Sequence, residues 1–265
     1  MADKLIIIPT YNERDNIQGI LGAIFSLQEN FHVLIIDDNS PDGTAAIVKE
    51  LQGRYSDRLF LEERTGKLGL GTAYIHGFRW ALEKSYSYIF EMDADFSHNP
   101  EDLTRLYQAC KNDGADVAVG SRYAGGGFVD WPRNRIILSK GASIYTRMIL
   151  WMPVKDPTAG FICYKREVLE SINLDHIHFT GYAFQIEMKF AAWKLGFTIR
   201  EVPIIFKDRT RGTSKMNKGI VREGIIGVLK LRYYSLFTNY RKRLKNTEPL
   251  PATTHENKKI VAEAR

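Results

Sequence analysis

An α/β fold with a largely parallel central sheet flanked by helices is what the order of elements predicts. Short, continuously apolar runs recur at Leu5-Ile6-Ile7-Ile8, at Val33-Leu34-Ile35-Ile36 and at Tyr86 to Met92, as expected of strands covered on both faces. Helical stretches alternate with these runs, and strands alternating with helices build a parallel sheet. With 265 residues and 44% hydrophobic content, the chain can bury a full core, which points to one globular domain with an appendage.

Leu5 to Ile8 form the first strand, and Pro9-Thr10-Tyr11-Asn12-Glu13 turns out of it into a helix from about Asp15 to Gln28. Val33 to Ile36 repeat the pattern, end in Asp37-Asp38-Asn39-Ser40-Pro41-Asp42-Gly43-Thr44, and lead into a helix through about Leu51. A short strand at Leu59 to Leu61 precedes the glycine-punctuated loop Gly66 to Gly71 and a helix from about Thr72 to Lys84. The central strand, Tyr86 to Met92, runs into Asp93-Ala94-Asp95-Phe96-Ser97-His98, and Pro100-Glu101-Asp102 opens a helix to about Asn112.

Asp116 to Gly120 give a further strand, closed by Ser121-Arg122-Tyr123 and the loop Gly125-Gly126-Gly127. From Arg133 to about Met152 the pattern is helical; Asp156-Pro157-Thr158-Ala159-Gly160 is a turn, and Phe161 to Tyr164 read as a strand. Thr180 to Glu187 open a helix through about Leu195, and Thr198 to Ile205 make a late strand. Residues 1–217 form the catalytic unit on this reading. A mixed apolar and basic helix follows over 218–240, suited to a membrane surface or a partner. The charged segment 241–265 has almost no large apolar residues and reads as a disordered tail.

The net charge of +6 favours an anionic partner: a phosphate-bearing ligand, a membrane surface or nucleic acid. A nucleic-acid role rests on charge alone, since no recognition motif accompanies it. Cys110 and Cys163 lie far apart without CxxC spacing, which argues against a zinc site and a disulfide framework and fits a reducing cytoplasm. No apolar stretch reaches membrane-spanning length, and the N-terminus lacks a signal-peptide pattern.

Open α/β sheets bind ligands beyond the carboxyl ends of their strands. Asp93 and Asp95 stand at such an end, where paired carboxylates can grip a divalent cation bridging a diphosphate. A glycine-rich dinucleotide loop is missing after the first strand. In its place Tyr11 can stack on a base and Glu13 can accept from a base N–H, while Asp37 and Asp38 can take ribose hydroxyls. Packing for Tyr11 and helix capping for Asp37 and Asp38 are the alternatives. Arg122, Arg135 and Arg133 can bind a phosphate bidentately, with a solvated helix face as the alternative for the last two. Arg209 and Lys215 sit in the basic, glycine-bearing loop Arg209-Thr210-Arg211-Gly212-Thr213-Ser214-Lys215.

These motifs, with Lys67-Leu68-Gly69-Leu70-Gly71-Thr72-Ala73, Gly120-Ser121-Arg122-Tyr123 and Gly181-Tyr182-Ala183-Phe184-Gln185, resemble the inverting glycosyltransferases of family two. Within that family they resemble the polyprenol-phosphate (dolichol-phosphate) mannose synthases of the soluble catalytic-subunit type, and the likeness runs from Leu5 to about Lys215. The resemblance implies a GT-A fold, with Pro9, Tyr11, Glu13, Ile36 and Asp38 at the nucleoside and Ala94 beside the nucleotide. It further implies Asp93 and Asp95 at a divalent metal, Mg2+ or Mn2+, and Arg122, Arg209 and Lys215 at phosphates, with Asp95 and these three carrying catalysis. The expected reaction moves mannose from GDP-mannose to a polyprenyl monophosphate, with a UDP-sugar donor of glucose or an N-acetylhexosamine as the rival. The setting expected is the cytoplasmic face of a membrane, with a small membrane-protein partner as a further possibility. Gln185 and Glu187 lie where hydroxyl-directed relatives carry catalytic acids, and no base role is assigned to Glu187. His98, beside the metal motif, is expected to touch the metal, in its outer shell, or to cap the following helix.

Overall fold

A computed structural model describes residues 3–181, 183–207 and 218–237, with only the helical backbone given for 218–223. Four parallel strands come first, each but the last followed directly by its crossover helix: β1 (Lys4–Thr10), α1 (Arg14–Phe25), β2 (Phe31–Asp37), α2 (Thr44–Gln52), β3 (Leu59–Glu63), α3 (Leu70–Leu82) and β4 (Tyr88–Glu91). Then come α4 (Asp102–Lys111), β5 (Val117–Ser121), β6 (Phe128–Val129), α5 (Arg133–Leu150), β7 (Ile162–Lys165), α6 (Arg166–Ser171) and α7 (Phe184–Lys194). The described chain closes with β8 (Ile199–Pro203), β9 (Ile205–Phe206) and α8 (Lys218–Phe237).

The central sheet has the order β3-β2-β1-β4-β7-β5-β8, and β6 pairs with β9 in a small second sheet. Within the central sheet only β7 runs antiparallel to its neighbours, pairing Ala118 with Cys163 on one side and Phe90 with Cys163 on the other. The run around Phe161 to Tyr164 is apolar in either direction, so its pattern carries no sign of strand polarity.

Alternation along β1 divides the core in two. Leu5 and Ile7 point to the face covered by α3, α6 and α7, where Tyr74, Phe78, Leu169 and Phe184 meet them. Ile6 and Ile8 point to the face covered by α1, α2 and α4, against Ile17, Ile20, Val48 and Leu106. All four β1 residues are fully buried, each worth roughly 1.5–3 kcal/mol. A third cluster, Leu150, Met152, Ile186, Phe190, Val228 and Leu231, fastens α5 and α8 to α7.

The segment before α7 is pressed onto the start of α3. The Gly71 N–H donates to the Thr180 carbonyl at 2.8 Å. A Cβ on Gly71 would stand 2.8 Å from the Phe184 ring and 3.0 Å from the Phe179 carbonyl, whereas one on Gly66 would meet nothing within 4 Å. Gly71→Ala is therefore expected to destabilise the fold by about 1–3 kcal/mol through overpacking. Gly66→Ala should stay within about 0.5 kcal/mol of wild type, as surface changes do. Urea midpoints for the two variants check the contrast.

Candidate active site

The carboxyl ends of β1, β2 and β4 lie side by side, and each is followed by a left-handed non-glycine residue: Asn12 at φ 60°, Asn39 at φ 58° and Phe96 at φ 60°. Asparagine tolerates this conformation, but an aromatic residue does so at a cost. The Phe96 ring lies close over Gly19 on α1, where an added Cβ would stand 3.1 Å from it.

Two of the residues expected at the nucleotide have fully buried side chains. Asp37 accepts from Thr10 Oγ1 at 2.8 Å, the Ser40 N–H at 2.8 Å and Ser40 Oγ at 2.6 Å, so its carboxylate holds the loop. The Ile36 side chain packs in the core. Asp38 is paired with Arg64, whose Nε donates to Oδ1 at 2.6 Å while Nη1 donates to Thr72 Oγ1 at 2.8 Å. Sequence reasoning did not single out Arg64. Glu13 accepts from Asn16 Nδ2 at 2.9 Å, and the Lys67 ammonium lies 4.9 Å from the centre of the Tyr11 ring. Pro9 and Tyr11 remain half-buried at the mouth.

The Asp93-Ala94-Asp95 loop is held from within. The Asp95 Oδ1 accepts from the Ser97 N–H at 3.0 Å, and the Asp93 N–H donates to His98 Nδ1 at 3.3 Å. His98 is buried, stacked on Phe161 at 4.8 Å, and so sits behind Asp93 and fixes its backbone. Ala94 is buried between the two aspartates. The Asp93 carboxylate is 39% exposed and faces a cavity. Among the described residues no group of three or more His, Cys, Asp or Glu could hold a metal. Two hard carboxylates whose further ligands must be phosphate oxygens and water still suit Mg2+ or Mn2+, which take few protein ligands.

That cavity, about 580 Å³, is lined by Asp93, Arg122, Arg135 and Gln185 among walls that are largely apolar, including Ile137, Leu138, Ile186 and Ile225. Arg122 is buried beside Asp156, which is fully buried. Its Nε donates to Oδ2 at 2.7 Å, and its Nη2 donates to Oδ1 at 2.6 Å and to Thr158 Oγ1 at 2.7 Å. Burial alone would raise the Asp156 pKa, but hydrogen bonds from Arg122 and its charge leave it lowered. Arg135 lies 3.9 Å over the Trp131 ring. Arg133 is solvent-exposed and does not line the cavity, so the structure does not bring it to the other two. Arg209 and Lys215 lie outside the described residues.

Beneath the cavity runs a chain of buried polar groups. Gln185 Nε2 donates to the fully buried Glu91, and Lys189, also fully buried, donates to the Ala159 carbonyl at 2.7 Å. Burial pushes Glu91 up and Lys189 down. The Tyr164 hydroxyl lies near Glu91 without hydrogen-bond geometry. Glu187 faces elsewhere, accepting from His178 Nδ1 at 2.9 Å and from the His178 and Phe179 N–H groups at 2.9 and 3.0 Å.

A model of the family described as glycosyl transferase family 2 matches residues 5–172. The chain belongs to glycosyl transferase family 2. It is 48% identical over 225 residues to the polyprenol monophosphomannose synthase of Mycolicibacterium smegmatis, covering 84% of each chain. It is 42% identical over 241 residues to the undecaprenyl-phosphate mannosyltransferase of Micrococcus luteus, covering 91% of this chain and 98% of that one. Among solved structures, glucosyl-3-phosphoglycerate synthase from Mycobacterium tuberculosis, in complex with Mn2+, UDP and phosphoglyceric acid, matches with a TM-score of 0.64. That match covers 87% of this chain and 78% of the other at 17% identity, a likeness of fold. The expected GT-A fold is the fold observed for this family member.

The Arg122–Asp156 pair gives a stability prediction. Removing one partner of a buried ion pair leaves an uncompensated charge, so Asp156→Asn should cost roughly 3–5 kcal/mol. Because the native Asp156 pKa is lowered, the acid's ionisation contributes stability above the ordinary carboxylate range, and that part is lost as pH falls through the native value. Denaturant melts of wild type and variant across pH should therefore differ most near neutrality and converge in acid.

Proposed function

We propose that this chain transfers mannose from GDP-mannose to a polyprenyl monophosphate, with inversion at the anomeric carbon and at the surface of a membrane. One observation carries the reading furthest. A carboxylate of the Asp93-Ala94-Asp95 loop and two arginines face a single cavity whose remaining walls suit a hydrocarbon chain better than a sugar. The names of the two curated relatives agree with it.

The residue types support transfer to a phosphate over transfer to a hydroxyl. A hydroxyl nucleophile needs a base, yet the group facing the cavity where a base would be wanted is the neutral amide of Gln185. Glu187, next along the same helix, is turned away and held by His178 and two backbone N–H groups. A phosphate monoester is already an anion near neutral pH and needs cations to place it. Arg122, aimed by Asp156, and Arg135 supply them. Asp93 and Asp95 would hold the divalent ion, Mg2+ or Mn2+, which supplies charge stabilisation to the departing nucleoside diphosphate when bound. Tyr11, Glu13 and Asp38, with Arg64 and Lys67 beside them, form the nucleoside end, and Arg209 and Lys215 are assigned to the donor phosphates.

The membrane setting rests on α5 and α8. No described helix is long and apolar enough to cross a membrane. On α8, Val228 and Leu231 are buried against the domain, while Ile225, Leu229, Tyr233 and Leu236 are 47–65% exposed. Beside them Ile144, Met148 and Trp151 of α5 and its end are also exposed, and Arg232 lies 4.2 Å over the Trp151 ring. Such a platform, with a tryptophan and basic residues at its edge, suits the interfacial zone of a bilayer. It adjoins the cavity through Ile137, Leu138 and Ile225. The cytoplasmic face is the side assigned, and a small membrane-protein partner is the other occupant the platform could take.

A donor panel of GDP-mannose, UDP-glucose and UDP-N-acetylglucosamine with a short polyprenyl phosphate tests the chemistry. GDP-mannose turnover is expected to dominate, and a UDP-sugar as the sole donor would overturn the assignment. Asp95→Ala should abolish transfer, a loss of several kcal/mol of transition-state stabilisation, with the unfolding midpoint retained. Full turnover in excess chelator would remove the metal from the scheme. Co-sedimentation tests the membrane: Leu229→Glu with Leu236→Glu should cut binding to anionic vesicles while nucleotide binding stays intact, and equal sedimentation would reject the membrane role.

A further inference from the structure

Lys189 is a strange residue to bury. It projects from α7 with no solvent exposure, although methionine would fill similar space without the cost of dehydrating an ammonium. What its contacts provide is a connection. Its Nζ donates to the Ala159 carbonyl at 2.7 Å and lies 3.4 Å from Gln185 Oε1, and Gln185 in turn donates to Glu91 at the end of β4, two residues before Asp93. Ala159 belongs to the turn that carries Asp156 and Thr158, the two residues gripping Arg122. From the opposite side the same turn is held by Glu201, which accepts the N–H groups of Lys155 and Asp156 at 2.8 and 2.9 Å.

We propose that Lys189 is a positioning residue for the transfer, tying the turn that aims Arg122 to the strand that carries Asp93 and so fixing the distance between acceptor and donor ends of the cavity. This rests on the reading above that Arg122 addresses the acceptor phosphate. Its route is mechanical: Lys189 touches neither substrate, and its effect reaches the reaction through Arg122. Loss of the tie displaces an attacking group without removing it, and a misplacement of about 1 Å costs on the order of 100-fold in rate.

The experiment uses the full chain with Lys189→Met, Arg122→Lys and the double variant. Lys189→Met is expected to lower the unfolding midpoint, since it leaves the Ala159 carbonyl and the buried Glu91 without the ammonium, yet to bind GDP and UDP with Mn2+ as wild type does and to lose about 100-fold in kcat at saturating donor. In the Arg122→Lys background the same change should cost far less, because both act on one group. Losses that multiply across the double variant, a full kcat in Lys189→Met, or a collapse of nucleotide affinity would each overturn the proposal. Should Lys189→Met not fold, Lys189→Gln, which keeps an N–H for Ala159 without the charge, takes the same measurements with an intermediate loss expected. Failure of the functional reading is seen separately, in wild-type protein that does not use polyprenyl phosphate.

Discussion

A sheet of parallel strands buried on both faces can meet solvent only at its ends, and this constraint arranges the whole molecule. β1 is dry on both sides, with Leu5 to Ile8 all fully buried, so the polar residues of the chain can gather only beyond the strand termini. At the carboxyl ends of β1, β2 and β4 they do. The carboxylates of Glu13, Asp37, Asp38, Asp93 and Asp95 stand there in neighbouring positions, on backbone that is left-handed at Asn12, Asn39 and Phe96. The α3–α7 contact at Gly71 and Phe184 then closes one side of this edge, and α5 with α8 closes the other.

The Arg122 guanidinium is buried because it is paired, and the pairing sets it apart from the other arginines nearby. Arg122 gains direction from Asp156, Thr158 and the flat faces of Trp131 and Phe206, each 5.5 Å from its guanidinium carbon. Arg133, the first residue of α5 and two positions before Arg135, is exposed and stays in water. A guanidinium held rigidly is better suited to orient a phosphate than one that must first lose its freedom.

Much of this was legible in the sequence because apolar runs and helical periodicity report burial directly. The alternation of strands and helices and the polar clusters at strand ends follow from pattern, whereas the short elements β6, α6 and β9 do not. What escaped has a common cause: long-range partners leave no local mark. Asp156 reads as an ordinary turn residue, though it lies 34 positions from the arginine it holds. Asp37 looks identical to Asp38 until Thr10 and Ser40 are placed around it. Glu91 did leave a signal, an acid inside a buried strand, but its connection to Gln185 and Lys189 on α7 depends on tertiary packing. The reversed direction of β7 was invisible for the same reason.

That reversal has a consequence for how such a chain can change. Because β7 lies between β4 and β5, the excursion that leaves β5 at Ser121 and returns at Ile162 starts and finishes on paired strands, with Val119 opposite Ile162. Directly opposed residues in an antiparallel pair are only about 5 Å apart at their Cα atoms. The intervening stretch holds Arg122, Asp156, Thr158 and the whole of α5, so the buried ion pair and the helix beside the cavity form a cassette with adjoining ends. Such a cassette can be lengthened, shortened or exchanged without altering the register of β1, β2 and β4.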